Sequence, residues 1–155
     1  MARAPFLSAF ILLFIATGIS SAPVKRQTGN LECNLARLAI INDVAGAQDI
    51  IAQVQSGNST DIDLPTAAAL AVAQTALTSA NDAFQTIRDA VLVNEQAPPE
   101  ARDQVDAGLT AAITALGSIS TNSTAGADLA AAIAAATDKV VKAGKDGNDV
   151  VALCK

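Results

Sequence analysis

Residues 65–93 read PTAAALAVAQTALTSANDAFQTIRDAVLV, and this stretch decides the fold. Its larger apolar residues recur at spacings of three and four: Leu70, Ala73, Leu77, Ala80, Phe84, Ile87, Val91. That is the period of one helix face, and the intervening Gln, Thr, Ser, Asn, Asp and Arg give the opposite face to water. Pro65 stands where a helix begins, since its missing N–H would have no partner in the first turn anyway. Asn94 closes the segment. Just before it, Asp61-Ile62-Asp63 holds a close pair of carboxylates, which read as helix caps rather than as a metal or acid–base pair.

The same period appears three more times. Upstream lie Cys33, Arg37, Ile40, Val44, Ala47, Ile51 and Val54, with Leu35, Leu38 and Ile41 expected to widen the buried face and Arg37 to snorkel at its edge. Downstream come Ala101, Val105, Leu109, Ala112 and Leu116, then Leu129, Ile133, Ala136, Val140, Ala143, Gly147, Val150 and Cys154. Ser56-Gly57-Asn58, Pro98-Pro99 and the polar run Gly117–Thr124 separate the segments, and Ser123 or Thr124 can cap the last one. The expected helices span roughly 29–55, 65–93, 98–118 and 124–153. Gly144 and Gly147 weaken the end of the fourth, where a kink or break is expected.

Seven-residue repeats sustained over several turns favour shallow crossings, and short connections make neighbours antiparallel. The expected fold is all-α, an up-down-up-down four-helix bundle. The two cysteines agree with it. In such a bundle the start of the first helix and the end of the last lie at one pole, where Cys33 and Cys154 would form one disulfide. The apolar seam would be carried by Leu70, Leu77, Phe84, Ile87, Val91, Leu129, Ile133 and Val140. Alanine runs such as Ala67–Ala69 and Ala130–Ala132 imply strong helices around a thin core, because alanine is the best helix former and buries little apolar area.

The N-terminal stretch points out of the cell. Arg3, an apolar run from Phe6 to Ile19, and the small residues Gly18, Ser20, Ser21 and Ala22 have the order of a secretory signal, and the run is too short to span a bilayer. Cleavage after Ala22 or after Gly18 both satisfy the small-residue rule, and Lys25-Arg26 then forms a dibasic processing site. The expected organisation is a signal peptide over 1–22, a pro-segment over 23–26 and a bundle domain over 27–155. Sequons at Asn58 and Asn122 would place glycans on the two loops at the pole opposite the cysteines. No integral membrane segment is expected after processing.

Composition narrows the chemistry. The chain holds no histidine, tyrosine or tryptophan. With both cysteines paired, that removes Ser–His and Cys–His nucleophiles and histidine metal sites. Lys139, Lys142, Lys145 and Lys155 read as exposed charges near a helix C-terminus, favoured by the dipole. Gly144-Lys145-Asp146-Gly147 lacks the residues of a phosphate loop, and Asp146–Asp149 lacks the alternation and closing Glu of a calcium loop. Removing Arg3, Lys25 and Arg26 leaves seven of the ten basic residues against 15 acidic, a net charge of about −8. Such a chain repels phosphates, and Phe84 is its sole aromatic beyond the leader, so nucleic acid is not an expected partner. No enzyme activity, metal or cofactor is expected.

Several segments carry a resemblance. The leader end Ala22-Pro23-Val24-Lys25-Arg26, the start Leu31-Glu32-Cys33-Asn34, the segment Ala101-Arg102-Asp103-Gln104-Val105 and the ending from Gly147 to Lys155 resemble small secreted proteins of mushroom-forming fungi, over nearly the whole chain. More distantly, the secreted Ala/Ser/Thr-rich helical chain is similar to the fungal hydrophobic surface-binding protein A and cell-wall galactomannoprotein family. The resemblance implies a secreted, non-enzymatic protein that binds hydrophobic surfaces or the cell wall. The alternative it implies is an extracellular carrier holding lipid or fatty acid between helices.

Overall fold

A computed structural model of the chain describes residues 31–57, 62–93, 95–120 and 126–154. Among these residues the chain forms four helices and no strand: α1 (Leu31–Ser56), α2 (Leu64–Leu92), α3 (Pro99–Gly117) and α4 (Ala127–Leu153). Each helix packs beside the next, and α4 closes the ring against α1, while the diagonal pairs do not approach each other. This is the antiparallel bundle expected from the periodicity. The Lys25-Arg26 site and the sequons at Asn58 and Asn122 lie outside the described residues.

Local chemistry sets the helix starts. Asp63 is the N-cap of α2, and its side chain accepts a hydrogen bond from the Thr66 backbone N–H at 2.9 Å. That bond satisfies one of the free donors of the first turn and holds the Asp63 carboxyl below its ordinary pKa. Pro99 opens α3 after Pro98. The start of α4 departs from expectation. Gly126 stands at its N-cap with no side-chain hydrogen bond, and the first helical residue is Ala127, three residues later than the expected boundary. Ser123 and Thr124 lie outside the described residues.

The core is one cluster along the bundle axis. Ile40, Val44 and Ile51 from α1 meet Leu70, Leu77 and Phe84 from α2, Leu109 and Leu116 from α3, and Ile133 and Val140 from α4. Alanines fill the spaces between, at 47, 73, 80, 112, 115, 136 and 143. Every residue of the α1 period from Cys33 to Val54 is buried or half-buried. Leu35, Leu38 and Ile41 are not part of that face, contrary to expectation: all three are exposed. At 100° per residue Leu35 and Leu38 lie opposite Ile40 and Val44, so no single helix face could bury both sets.

Two glycine expectations also resolve. α4 runs unbroken through Gly144 and Gly147 to Leu153. A Cβ added at either position would meet nothing within 4 Å. Gly108 in α3 differs: a Cβ there would come within 2.8 Å of the Ala76 carbonyl oxygen and 2.9 Å of Ala80 Cβ, so its lack of a side chain lets α3 lie directly on α2. Gly144→Ala and Gly147→Ala should each stabilise the protein by about 0.5–1 kcal/mol through helix propensity. Gly108→Ala should destabilise it, because the overpacking cost of about 1–3 kcal/mol exceeds that gain. Chemical denaturation of the three variants checks the opposite signs.

Candidate functional site: the seam between two helix pairs

The four helices are not equally close. α1 packs intimately along α4, and α2 along α3, whereas the α1–α2 and α3–α4 faces meet much more sparingly. The bundle is therefore two tight pairs laid face to face. Each pair is covalently closed at the same pole. The chain itself joins α2 to α3 through residues 93–98, and Cys33–Cys154 joins α1 to α4 with its Cα atoms 5.2 Å apart. The connections between the pairs, from α1 to α2 and from α3 to α4, lie at the other pole.

Polar contacts follow the same division. In the α1–α4 pair, the buried Asp43 carboxylate accepts from Lys142 Nζ at 2.6 Å and from Lys139 Nζ at 3.5 Å. Lys139 reaches it by crossing Gly46, where an added Cβ would touch the lysine stem at 2.9 Å. Lys142 also pairs with Asp146 one turn along α4, at 3.5 Å. Lys139 and Lys142 are thus more than the solvated dipole charges the sequence suggested: they clamp α4 to α1. In the α2–α3 pair, Gln104 Nε2 donates to the Ser79 carbonyl at 3.2 Å and to Ser79 Oγ at 3.0 Å. Across the seam, Gln48 Nε2 donates to Thr78 Oγ1 at 3.3 Å.

Burial raises the Asp43 pKa, but the Lys142 and Lys139 ammonium groups outweigh it, and the carboxyl titrates below its ordinary value. A depressed carboxylate adds stability that is present above its unfolded pKa of about 3.9 and is lost as pH falls through the lower folded value. The α1–α4 clamp should therefore loosen in acid. Melting temperature should fall more steeply below about pH 4 in the native protein than in Asp43→Asn, with the two curves converging at the acid end.

The residues expected to form the seam occupy graded positions along it. Leu70, Leu77 and Val140 are fully buried, and Phe84 and Ile133 are buried. Leu129 is half-buried against the cluster. Ile87, Val91 and Val150 are half-buried near the disulfide pole, as Val54 and Leu129 are near the other, while Cys33 is fully buried, so seam burial is deepest in the middle and fades at both ends. At the disulfide pole Leu92, Val93 and Val151 are exposed. Val44, Ile51, Leu70, Leu77, Leu116 and Val140 are among the largest fully buried side chains. Two surface depressions are open to solvent, one on the outer side of α2 around Val72 and Thr75, the other near Gln55 and Ile62.

Among the described residues, no group of three or more His, Cys, Asp or Glu is placed to hold a metal ion, and no helix is long and apolar enough to cross a membrane. Arg37 is half-buried on the α1 seam line, with its Nη1 donating to Asn34 Oδ1 at 3.3 Å, and burial lowers its pKa. Gly46 and Gly108 each mark a close approach within a pair. No protein-family model matches the chain, and no curated protein or solved structure matches it.

Proposed function

We propose that this is a secreted, non-enzymatic protein that adsorbs to hydrophobic surfaces, at the cell wall or elsewhere, by parting its two helix pairs. The observation that carries the reading is the division of the bundle into α1–α4 and α2–α3, intimate within each pair and sparing between them. Both pairs are closed at the disulfide pole and linked to each other only through the chain at the opposite pole, so parting breaks no covalent bond. The apolar seam is buried either way, against the other pair or against the surface, so the exchange costs little where the core is thin. A carrier that stays closed around a lipid needs room between the helices, where Val44, Ile51, Leu70, Leu77, Leu116 and Val140 are fully buried in one cluster.

A crosslink across the seam tests this. Gln48 and Thr78 already touch, and the native cysteines are both in the disulfide, so Gln48→Cys with Thr78→Cys offers a unique pair of thiols for a short bifunctional reagent. The crosslinked protein is expected to lose adsorption to octadecyl-coated surfaces while the uncrosslinked double variant retains it. Undiminished adsorption of the crosslinked form would refute the parting mechanism. Fatty acid carried through purification and bound equally by the crosslinked form would favour the carrier.

A further inference from the structure

The first three turns of α1 are apolar on two opposite faces. Cys33, Ile40 and Val44 face the core, while Leu31, Leu35, Leu38 and Ile41 stand on the outside, 73%, 55%, 56% and 39% exposed. Their spacing of four, three and three makes them successive neighbours on the helix surface, about 15 Å from end to end, and not scattered single residues. A helix apolar on both sides is ordinarily covered on both sides. Nothing charged interrupts the stripe: Arg37 is half-buried on the seam side, and the exposed residues between Leu31 and Ile41 beyond its opening Glu32 are Asn34, Leu35 and Leu38.

We infer that this outer stripe of α1 is the docking face by which the closed bundle first engages an uncharged apolar surface, before the pairs part. The inference rests on the surface-binding reading above and assigns its first contact to residues outside the seam. Two observations choose this occupant. The stripe offers on the order of a few hundred Å² of apolar area, well short of the ~800 Å² per partner of a standard protein interface, so a second copy would be held poorly in solution. A flat apolar surface needs no shape complementarity and can take the whole stripe at once. Beyond Glu32 at its opening the stripe carries no charge to match an acidic or basic partner, and the formal charge of −5 on the chain as a whole would oppose an anionic membrane.

The test compares adsorption on an octadecyl-coated quartz crystal from dilute solution. Leu35→Gln with Leu38→Gln should raise the half-saturating concentration at least tenfold and slow the initial rate by a similar factor. Circular dichroism and melting should stay as in the native protein, since both side chains are exposed. Val72→Gln, at an exposed apolar position on α2, should adsorb as the native protein does. If the stripe variant adsorbs normally while the 48–78 crosslink abolishes adsorption, the stripe is overturned and the surface reading survives. If the native protein does not adsorb at all, both fall. If sedimentation shows a native dimer that the stripe variant converts to monomer, the stripe binds a second copy and the inference is wrong.

Discussion

Reduction of the Cys33–Cys154 bridge is expected to remove about 4–5 kcal/mol of stability. The bond joins residues 121 positions apart, so it closes nearly the whole described domain into one loop. In the chain-entropy model the effect lies in the unfolded ensemble, whose ends it ties together, and it grows with loop length. The folded state needs little rearrangement to hold it, because Cys33 is buried and α1 and α4 are already in close contact. Against a typical total of ~5–15 kcal/mol, such a loss brings the reduced protein near its unfolding threshold. Thermal melts with and without a reductant, followed by circular dichroism at 222 nm, should show a large drop in Tm. Part of the helicity should survive in the cold, because the alanine-rich segments form helix well on their own. Coincident melts would show that the bridge does not contribute.

Reduction also bears on the proposed parting of the helix pairs. The bridge holds α1 and α4 together at one pole, and the α2–α3 connection does the same for the other pair at that pole. With the bridge cut, α1 and α4 keep their Asp43 clamp but lose the tie that makes them move as one body. On the proposed mechanism, adsorption by parting into two pairs would then give way to less ordered spreading. The acid dependence of the clamp and the redox state of the bridge act on the same pair by different physics, one on the native contact and the other on the unfolded chain.

Most of this architecture could be read from the residues alone, for a definable reason. Spacings of three and four place Cys33, Ile40, Val44, Ala47 and Ile51 on one line, and the line is buried as periodicity requires. Capping by Asp63 and the first-turn Pro65 were legible because each has a single local physical role. The outward turn of Leu35 and Leu38 was legible in the helix period, which sets them opposite Ile40 and Val44, whereas no local pattern tells whether such an apolar outer face meets a partner. The Asp43–Lys139–Lys142 clamp was hidden for another reason. It links positions 96 and 99 apart in the chain, and no local pattern announces which charges a tertiary register will bring together. The unequal closeness of the pairs was likewise a matter of register, visible only once Gly108 is seen lying on Ala76 and Ala80.

Leu77→Ala is expected to cost about 3–5 kcal/mol, towards the upper part of the range for a buried leucine. Leu77 is fully buried near the middle of α2, on the line that joins Leu70 to Phe84 through the core cluster. Removing its three terminal carbons forfeits their transfer from water and leaves a void whose cost depends on how far the surroundings can collapse. Here they cannot collapse far. The small members of the cluster at 47, 73, 80, 112 and 136 are alanines, which have no rotamers with which to reach into a void. Backbone movement is limited too, since α3 already lies on α2 at Gly108. Leu77→Met, close in volume and flexible, should cost less than about 1.5 kcal/mol. Urea denaturation of the two variants distinguishes this thin, unforgiving core from a plastic one, in which alanine and methionine would cost nearly the same.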